Sequence, residues 1–223
     1  MTTTNAAPVE AVYDAHRRLG AVIEGLTDAQ VGEPSLLPDW TRGHVLAHLA
    51  NVTAALARQA EHEGELIEVY PGGRPARNAA IEAEAGRTAA EHRAAIEAAV
   101  TRLTAAWNGV RNWDSRVAHR DGVLRDTVFA LWREVEIHTF DLDLADAAWS
   151  AEFCEHAVEF LTPRVPDGVR LTLASTDDGR EWTIGSGDPV ELRGERNDLV
   201  AWLAGREPRG TVTGERPALN PWP

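Results

Sequence analysis

Two histidines and one glutamate carry the strongest chemical signal in the chain: His48, Glu134 and His138. Glu134 and His138 are four positions apart, a spacing that raises both side chains from one face of a helix, one turn apart. Leu131, Val135 and Leu142 share that face and mark it as inward. His48 likewise sits on an apolar stripe, with Val45, Leu49, Val52 and Leu56. Two imidazoles and one carboxylate make a zinc set with a position left open for water or substrate. Helical bundles build such sites from facing helices. A single histidine on an apolar face is, however, ordinarily a hydrogen-bonded core residue, and a Glu-to-His spacing of four recurs by chance. Glu134 weighs the other way, because a carboxylate on a buried face needs a strong partner or must stay neutral. From residue type and spacing alone, metal ligands and hydrogen-bonded core residues both remain open.

The neighbouring groups carry less. His44, one turn before His48, is either a group behind a ligand or a boundary histidine, and His16 reads as structural. Arg133 points about 100° away from Glu134 on a helix, which suits a salt bridge better than chemistry. Asp141 and Asp143 follow His138 closely enough to orient its imidazole through the remaining nitrogen. The tryptophans, Trp40, Trp113 and Trp132 among them, read as core or loop anchors. Cys154 is the only cysteine, so there is no intrachain disulfide and no cysteine-rich metal site. It lies between Phe153 and Phe160 on an apolar helix, a poor setting for a nucleophile. Thiol chemistry here needs a thiol from outside.

Helices must position these groups, and the first two-thirds of the chain has their period. Helices are predicted over about 8–25, 42–62 (capped by Thr41), 78–107 and 125–146, with an ordered loop from Pro34 to Trp40 and a capping box at Thr27 and Gln30. Residues 108–123 read as irregular or weakly extended. Four such helices bury their stripes as a bundle. A further helix at 151–162 follows Ser150, and the character changes at Pro163 and Pro166. Short strands are predicted at Val169–Ala174, Glu181–Ile184 and Pro189–Arg193. A helix opens at Asn197 or Asp198 and ends before Gly205, and a strand returns at Thr211–Thr213. The expected class is mainly α, a four-helix bundle over 1–163 with a small α/β domain over 164–223.

The length of 223 residues is enough for a buried core, and 43% hydrophobic with 26% charged residues is a globular composition. A formal net charge of -13 argues against nucleic acid and anionic membranes as partners. The same charge means an anionic substrate needs locally placed cations. Met1 to Pro8 lacks the apolar run of a signal peptide, and no segment has the length and hydrophobicity of a membrane span. A cytoplasmic protein is expected, with the monomer a plausible state.

The segment Ser35-Leu36-Leu37-Pro38-Asp39-Trp40-Thr41-Arg42-Gly43-His44-Val45-Leu46-Ala47-His48-Leu49, together with Arg133-Glu134-Val135-Glu136-Ile137-His138-Thr139-Phe140-Asp141-Leu142, resembles the mycothiol-dependent maleylpyruvate isomerase family of the DinB-like metalloprotein superfamily. The resemblance extends over nearly the whole chain. It implies a DinB-like bundle with one divalent ion, Zn²⁺, held by His48, Glu134 and His138. It also implies a functional arginine in a Gly-Arg pair after an apolar helix, which Leu203-Ala204-Gly205-Arg206 matches at Arg206. The guanidinium fork of Arg206 suits two-point pairing with a carboxylate; from the residues alone it reads equally as a cation near a helix C-terminus.

The family reaction converts maleylpyruvate, a cis-enoyl dicarboxylate from gentisate ring cleavage, to fumarylpyruvate, with mycothiol as cofactor. Zinc can depress the pKa of an incoming thiol. Thiolate addition to the conjugated double bond, rotation and elimination then give the trans alkene. A related metal-dependent mycothiol S-transferase acting on other electrophiles is the alternative, and a binding protein without turnover is a third class. The expected partners are a small dicarboxylate and a low-molecular-weight thiol.

Overall fold

Apolar periodicity and side-chain caps set the helices of the first part of the chain. In the computed structural model, which describes residues 8–144 and 148–223, helix α1 (Val9–Ile23) follows Pro8 and buries Val12, Ala15, His16, Leu19 and Ile23. Thr27 closes the predicted capping box with Gln30 and starts the single turn α2 (Asp28–Val31). Thr41 caps α3 (Arg42–Glu61) by accepting from the His44 N–H, while the His44 side chain accepts from the Thr41 N–H. Helix α6 (Leu124–Asp141) ends at the Leu142 cap, and Asp143 follows at φ 53°. Positions 145 and 146 of the predicted fourth helix lie outside the described residues, as do positions 1–7 of the N-terminal stretch.

One helix predicted over 78–107 is two. Helix α4 (Gly73–Glu84) and α5 (Ala89–Asn108) are separated by a break that contains Gly86, and Thr88 caps α5 in a box with Glu91. Alanine-rich sequence on both sides conceals the break, although Thr88-x-x-Glu91 is itself a helix-start signature. The four long helices α1, α3, α5 and α6 form the bundle; α3 lies against both α5 and α6, α1 against α6 and α5, and α4 against α3. Leu19, Leu46, Leu49, Leu56, Leu103, Leu124 and Leu131 are all but fully buried between them. Each such side chain contributes roughly 1.5–3 kcal/mol relative to exposure. Among the described residues no helix is long and apolar enough to cross a membrane.

The helices that carry the histidine and glutamate motifs are tied together at their ends. The Leu36 N–H donates to the Asp141 carbonyl at 2.9 Å. Arg42 Nε donates to the Leu142 carbonyl at 2.7 Å, and the same guanidinium pairs with Glu33. This clamps the loop before α3 onto the C-terminal end of α6. The first turn of α3 also presses on the end of α4, where a Cβ on Gly43 would lie 2.0 Å from the Ala85 carbonyl oxygen.

The chain divides into two compact units between Ala147 and Ala148. Helix α7 (Ala151–Leu161), capped by Ser150, goes with the second unit, where it packs on α8 (Arg196–Leu203). The domain division expected from sequence, at 163/164, follows the composition change at Pro163 instead, which marks the approach to the sheet. Strands β1 (Gly168–Ser175), β2 (Glu181–Gly185) and β3 (Gly187–Gly194) form a sheet in the order β2-β1-β3, with β1 antiparallel to β2 and parallel to β3. Gly187, at φ 124°, lets the chain cross the start of β1, where a Cβ would meet the Gly168 carbonyl oxygen at 2.1 Å. The predicted Thr211–Thr213 strand is a single bridge, Arg193 to Thr213.

Substituting Gly43→Ala is expected to destabilise the bundle by about 1–3 kcal/mol, the usual cost of overpacking. Urea unfolding measures it; an unchanged midpoint would show that α3 and α4 can separate freely.

Candidate metal centre

Helix α3 delivers His48 and helix α6 delivers Glu134 and His138 to one point in the bundle. His48 Nε2 lies 2.8 Å from Glu134 Oε2, and His138 Nε2 lies 3.2 Å from the same oxygen. The two imidazoles meet edge to face, with centroids 4.8 Å apart and planes at 85°. One donor atom from each residue lies within 4.8 Å of the other two. His48 is buried, whereas Glu134 and His138 are half-buried, so the group is backed by core and still reachable. The nitrogen, nitrogen and oxygen donors suit a borderline divalent ion such as zinc, with room for a further ligand.

The protonation pattern is set by hydrogen bonds that point inward from the bundle. His138 Nδ1–H donates to Asp141 Oδ2 at 2.8 Å, and the Asp141 side chain is fully buried. That bond holds the ring with Nε2 directed at Glu134, the arrangement in which a carboxylate behind an imidazole raises its basicity as a ligand. Burial works against the charged ring of His138, but the bonds to Asp141 and Glu134 outweigh it and raise its pKa to about 9. For Glu134 burial favours the acid, yet the bonds from His138 and His48 prevail and hold the carboxyl well below the usual range. Burial dominates at His48 and lowers its pKa. At neutral pH the group is therefore imidazolium, carboxylate and neutral imidazole. A divalent ion would take the place of the His138 proton.

The remaining candidates separate cleanly. Asp141 orients His138 as its position suggests, whereas the backbone carbonyl of Asp143 accepts from Arg42 at 3.3 Å. His44 serves the α3 cap, and Trp40 stacks on it at 6.1 Å while meeting the edge of His48 at 5.8 Å. His16 bonds to the Val12 carbonyl and to Thr53 Oγ1, a structural role. Burial, then the neighbouring charge of Arg120, lowers the pKa of Arg133 to about 10. In the second unit Arg206 donates to the Ala204 carbonyl at 2.9 Å and lies over the Trp222 ring at 5.7 Å. Cys154 is fully buried, with Sγ 3.6 Å from Asn197 Oδ1. Sequence reasoning missed Arg77 and Tyr70, which reach the centre from α4 and the turn before it. Arg77 lies 3.1 Å from His48 Nδ1 and 5.8 Å from the Tyr70 ring centroid. Neither residue has a periodicity or spacing that singles it out.

Two measurements follow from this geometry. Asp141→Asn is expected to weaken zinc binding by about 10–100-fold, the usual effect of losing a carboxylate behind a ligating imidazole. Competition with a chelating dye reads it, and an unchanged affinity would show that other contacts set the His138 ring. In chelator-treated protein, His138 titrates at about 9 when folded and about 6.5 when unfolded. Its raised pKa stabilises the fold fully below the unfolded value, and that contribution fades as pH rises through the folded one. The melting-temperature advantage of wild type over His138→Gln should shrink across that window; a constant gap would contradict the ion pairs.

A family model described as the mycothiol maleylpyruvate isomerase N-terminal domain matches residues 12–143, and one described as the MDMPI C-terminal domain matches residues 148–221. A search among curated proteins finds no match. Among solved structures, a crystal structure of the mycothiol-dependent maleylpyruvate isomerase superposes with a TM-score of 0.77 at 24% identity, covering 96% of this chain and 95% of that one. A histidine-to-alanine mutant of that isomerase gives a TM-score of 0.76 at the same identity and coverage. The superposition shows a shared fold, in keeping with the four-helix bundle and small α/β domain expected from sequence. With both halves of the chain matched by the family's own models, the chain belongs to the mycothiol maleylpyruvate isomerase family.

Proposed function

We propose that this protein is a zinc- and mycothiol-dependent isomerase that converts maleylpyruvate to fumarylpyruvate, with His48, Glu134 and His138 as the zinc ligands. The convergence of their three donor atoms within 4.8 Å of one another carries the reading. Family membership supports it, and so does the burial of Cys154, which leaves the chemistry to a thiol from solution.

When bound, zinc supplies a Lewis acid that lowers the pKa of an incoming thiol, so that thiolate is available at neutral pH. The chain's own groups do the rest of the positioning. His48 and His138 offer neutral nitrogens, Glu134 offers one negative charge, and Asp141 holds the His138 ring in the ligating orientation. Arg206 pairs with a substrate carboxylate. The thiolate sulfur bonds to one alkene carbon as the π electrons move into the conjugated carbonyl, leaving a single bond that can rotate. Return of those electrons expels the thiolate and leaves the trans alkene. No atom or redox equivalent is gained or lost.

Incubating zinc-loaded protein with maleylpyruvate, with and without mycothiol, is expected to give thiol-dependent fumarylpyruvate. No conversion would sink the reading. Thiol conjugation to a general electrophile without isomerisation would identify a mycothiol S-transferase instead. His48→Ala should abolish zinc retention and turnover, and full zinc occupancy in that variant would refute the ligand assignment. Arg206→Ala should keep zinc and raise KM; unaltered kinetics would reduce it to its contacts with Ala204 and Trp222.

A further inference from the structure

A cation stands beside the metal centre that neither the sequence motifs nor the family resemblance assigns. Arg77 on α4 places its guanidinium 3.1 Å from His48 Nδ1 and 5.8 Å from the Tyr70 ring centroid. Together with Asn51, Arg58 and Tyr70 it lines a cavity of about 240 Å³ beside α3. Arg18, Arg42, Arg87 and Arg102 in the same unit each pair with a glutamate. Among the described residues no carboxylate lies within ion-pair distance of Arg77; its partners are His48, the Asn78 side chain and Tyr70. In a chain of net charge -13, this half-buried cation is positive charge available beside the histidine and glutamate cluster.

Hydrogen-bond chemistry makes this contact incompatible with metal ligation. A guanidinium only donates, so His48 Nδ1 accepts from it and the ring proton sits on Nε2, facing Glu134. Ligation through Nε2 requires that nitrogen to be bare and Nδ1 to carry the proton. Nδ1–H would then face the N–H groups of Arg77, donor against donor. The guanidinium must turn away when a metal is held, and the Nη2 donor that faced His48 is then released at the centre. The ligand a guanidinium fork fits is a carboxylate, taken in two-point geometry.

We propose that Arg77 is a substrate-binding residue: released from His48 by metal ligation, its guanidinium holds one carboxylate of a dicarboxylate at the metal centre. This rests on the reading of the site as one for a dicarboxylate, whose two anionic ends call for more than one cation. It gives the acidic chain a local positive group on the bundle itself, and Tyr70 provides an aromatic face along which the guanidinium can move.

Maleate, a cis-dicarboxylate, serves as the probe, titrated calorimetrically into zinc-loaded full-length protein. Wild type is compared with Arg77→Met and Arg77→Lys, and zinc affinity is measured for each by chelator competition. Arg77→Met is expected to bind zinc as tightly as wild type or more tightly, because the contact that opposes ligation is gone. Its affinity for maleate should fall by about tenfold or more, the scale of a lost charge-assisted pair. Arg77→Lys, with charge but no fork, should fall between. With maleylpyruvate, KM should rise while kcat changes less. Failure of the wild type to bind maleate, maleate affinity held within about twofold in Arg77→Met, or loss of zinc from that variant would each overturn the proposal. The isomerase reading is judged separately, by thiol-dependent turnover. Arg77-dependent maleate binding without turnover keeps this site and removes that reaction, whereas turnover with a KM unmoved by Arg77→Met does the reverse.

Discussion

The carboxylate of Glu134, set between two imidazoles inside a helical bundle, is the interaction on which the rest of the site depends. A half-buried carboxylate is costly without partners, and His48 and His138 supply them from two different helices. Because both bonds end on the same oxygen, they also bring two nitrogen donors to one point. The balance of charge that makes the cluster tolerable without a metal also gathers nitrogen, nitrogen and oxygen donors that suit a divalent ion.

Holding that point requires helix ends as much as helix faces. The loop before α3 bonds to the last turn of α6, and Arg42 gathers the carbonyls of Leu142 and Asp143. These contacts set the relative height of the two helices, and with it the distance from His48 to Glu134. Gly43 serves the same end, since any side chain there would push α3 away from the end of α4. The motif around Trp40, Gly43 and His48 is thus a mechanical unit: an aromatic contact, a close approach and a donor.

For the proposed dicarboxylate substrate, an acidic chain must supply locally placed cations. Arg18, Arg42, Arg87 and Arg102 are each paired with a glutamate, and the bulk charge repels carboxylates. Arg77, in the first unit, has no carboxylate among the described residues within ion-pair distance and lies against His48 instead. In the second, Arg206 sits on Trp222 after the left-handed turn at Gly205.

Much of this was legible in the residues themselves. Period and caps locate α1, α3, α6 and α7, because amphipathic stripes and Thr41 or Ser150 caps are local signals. The i, i+4 relation of Glu134 to His138 is a property of one helix, and so is the reach of Asp141 back to His138. The break between α4 and α5 escaped because alanine satisfies both helices without marking an edge, and α7 joined the second unit because packing on α8, not composition, decides it. That His48 meets Glu134 across separate helices depends on how α3 and α6 are set against each other. The contact of Arg77 with His48 lies wholly at that level: it joins residues 29 positions apart with no shared period, and only the packing of α4 on α3 brings a guanidinium to His48 Nδ1.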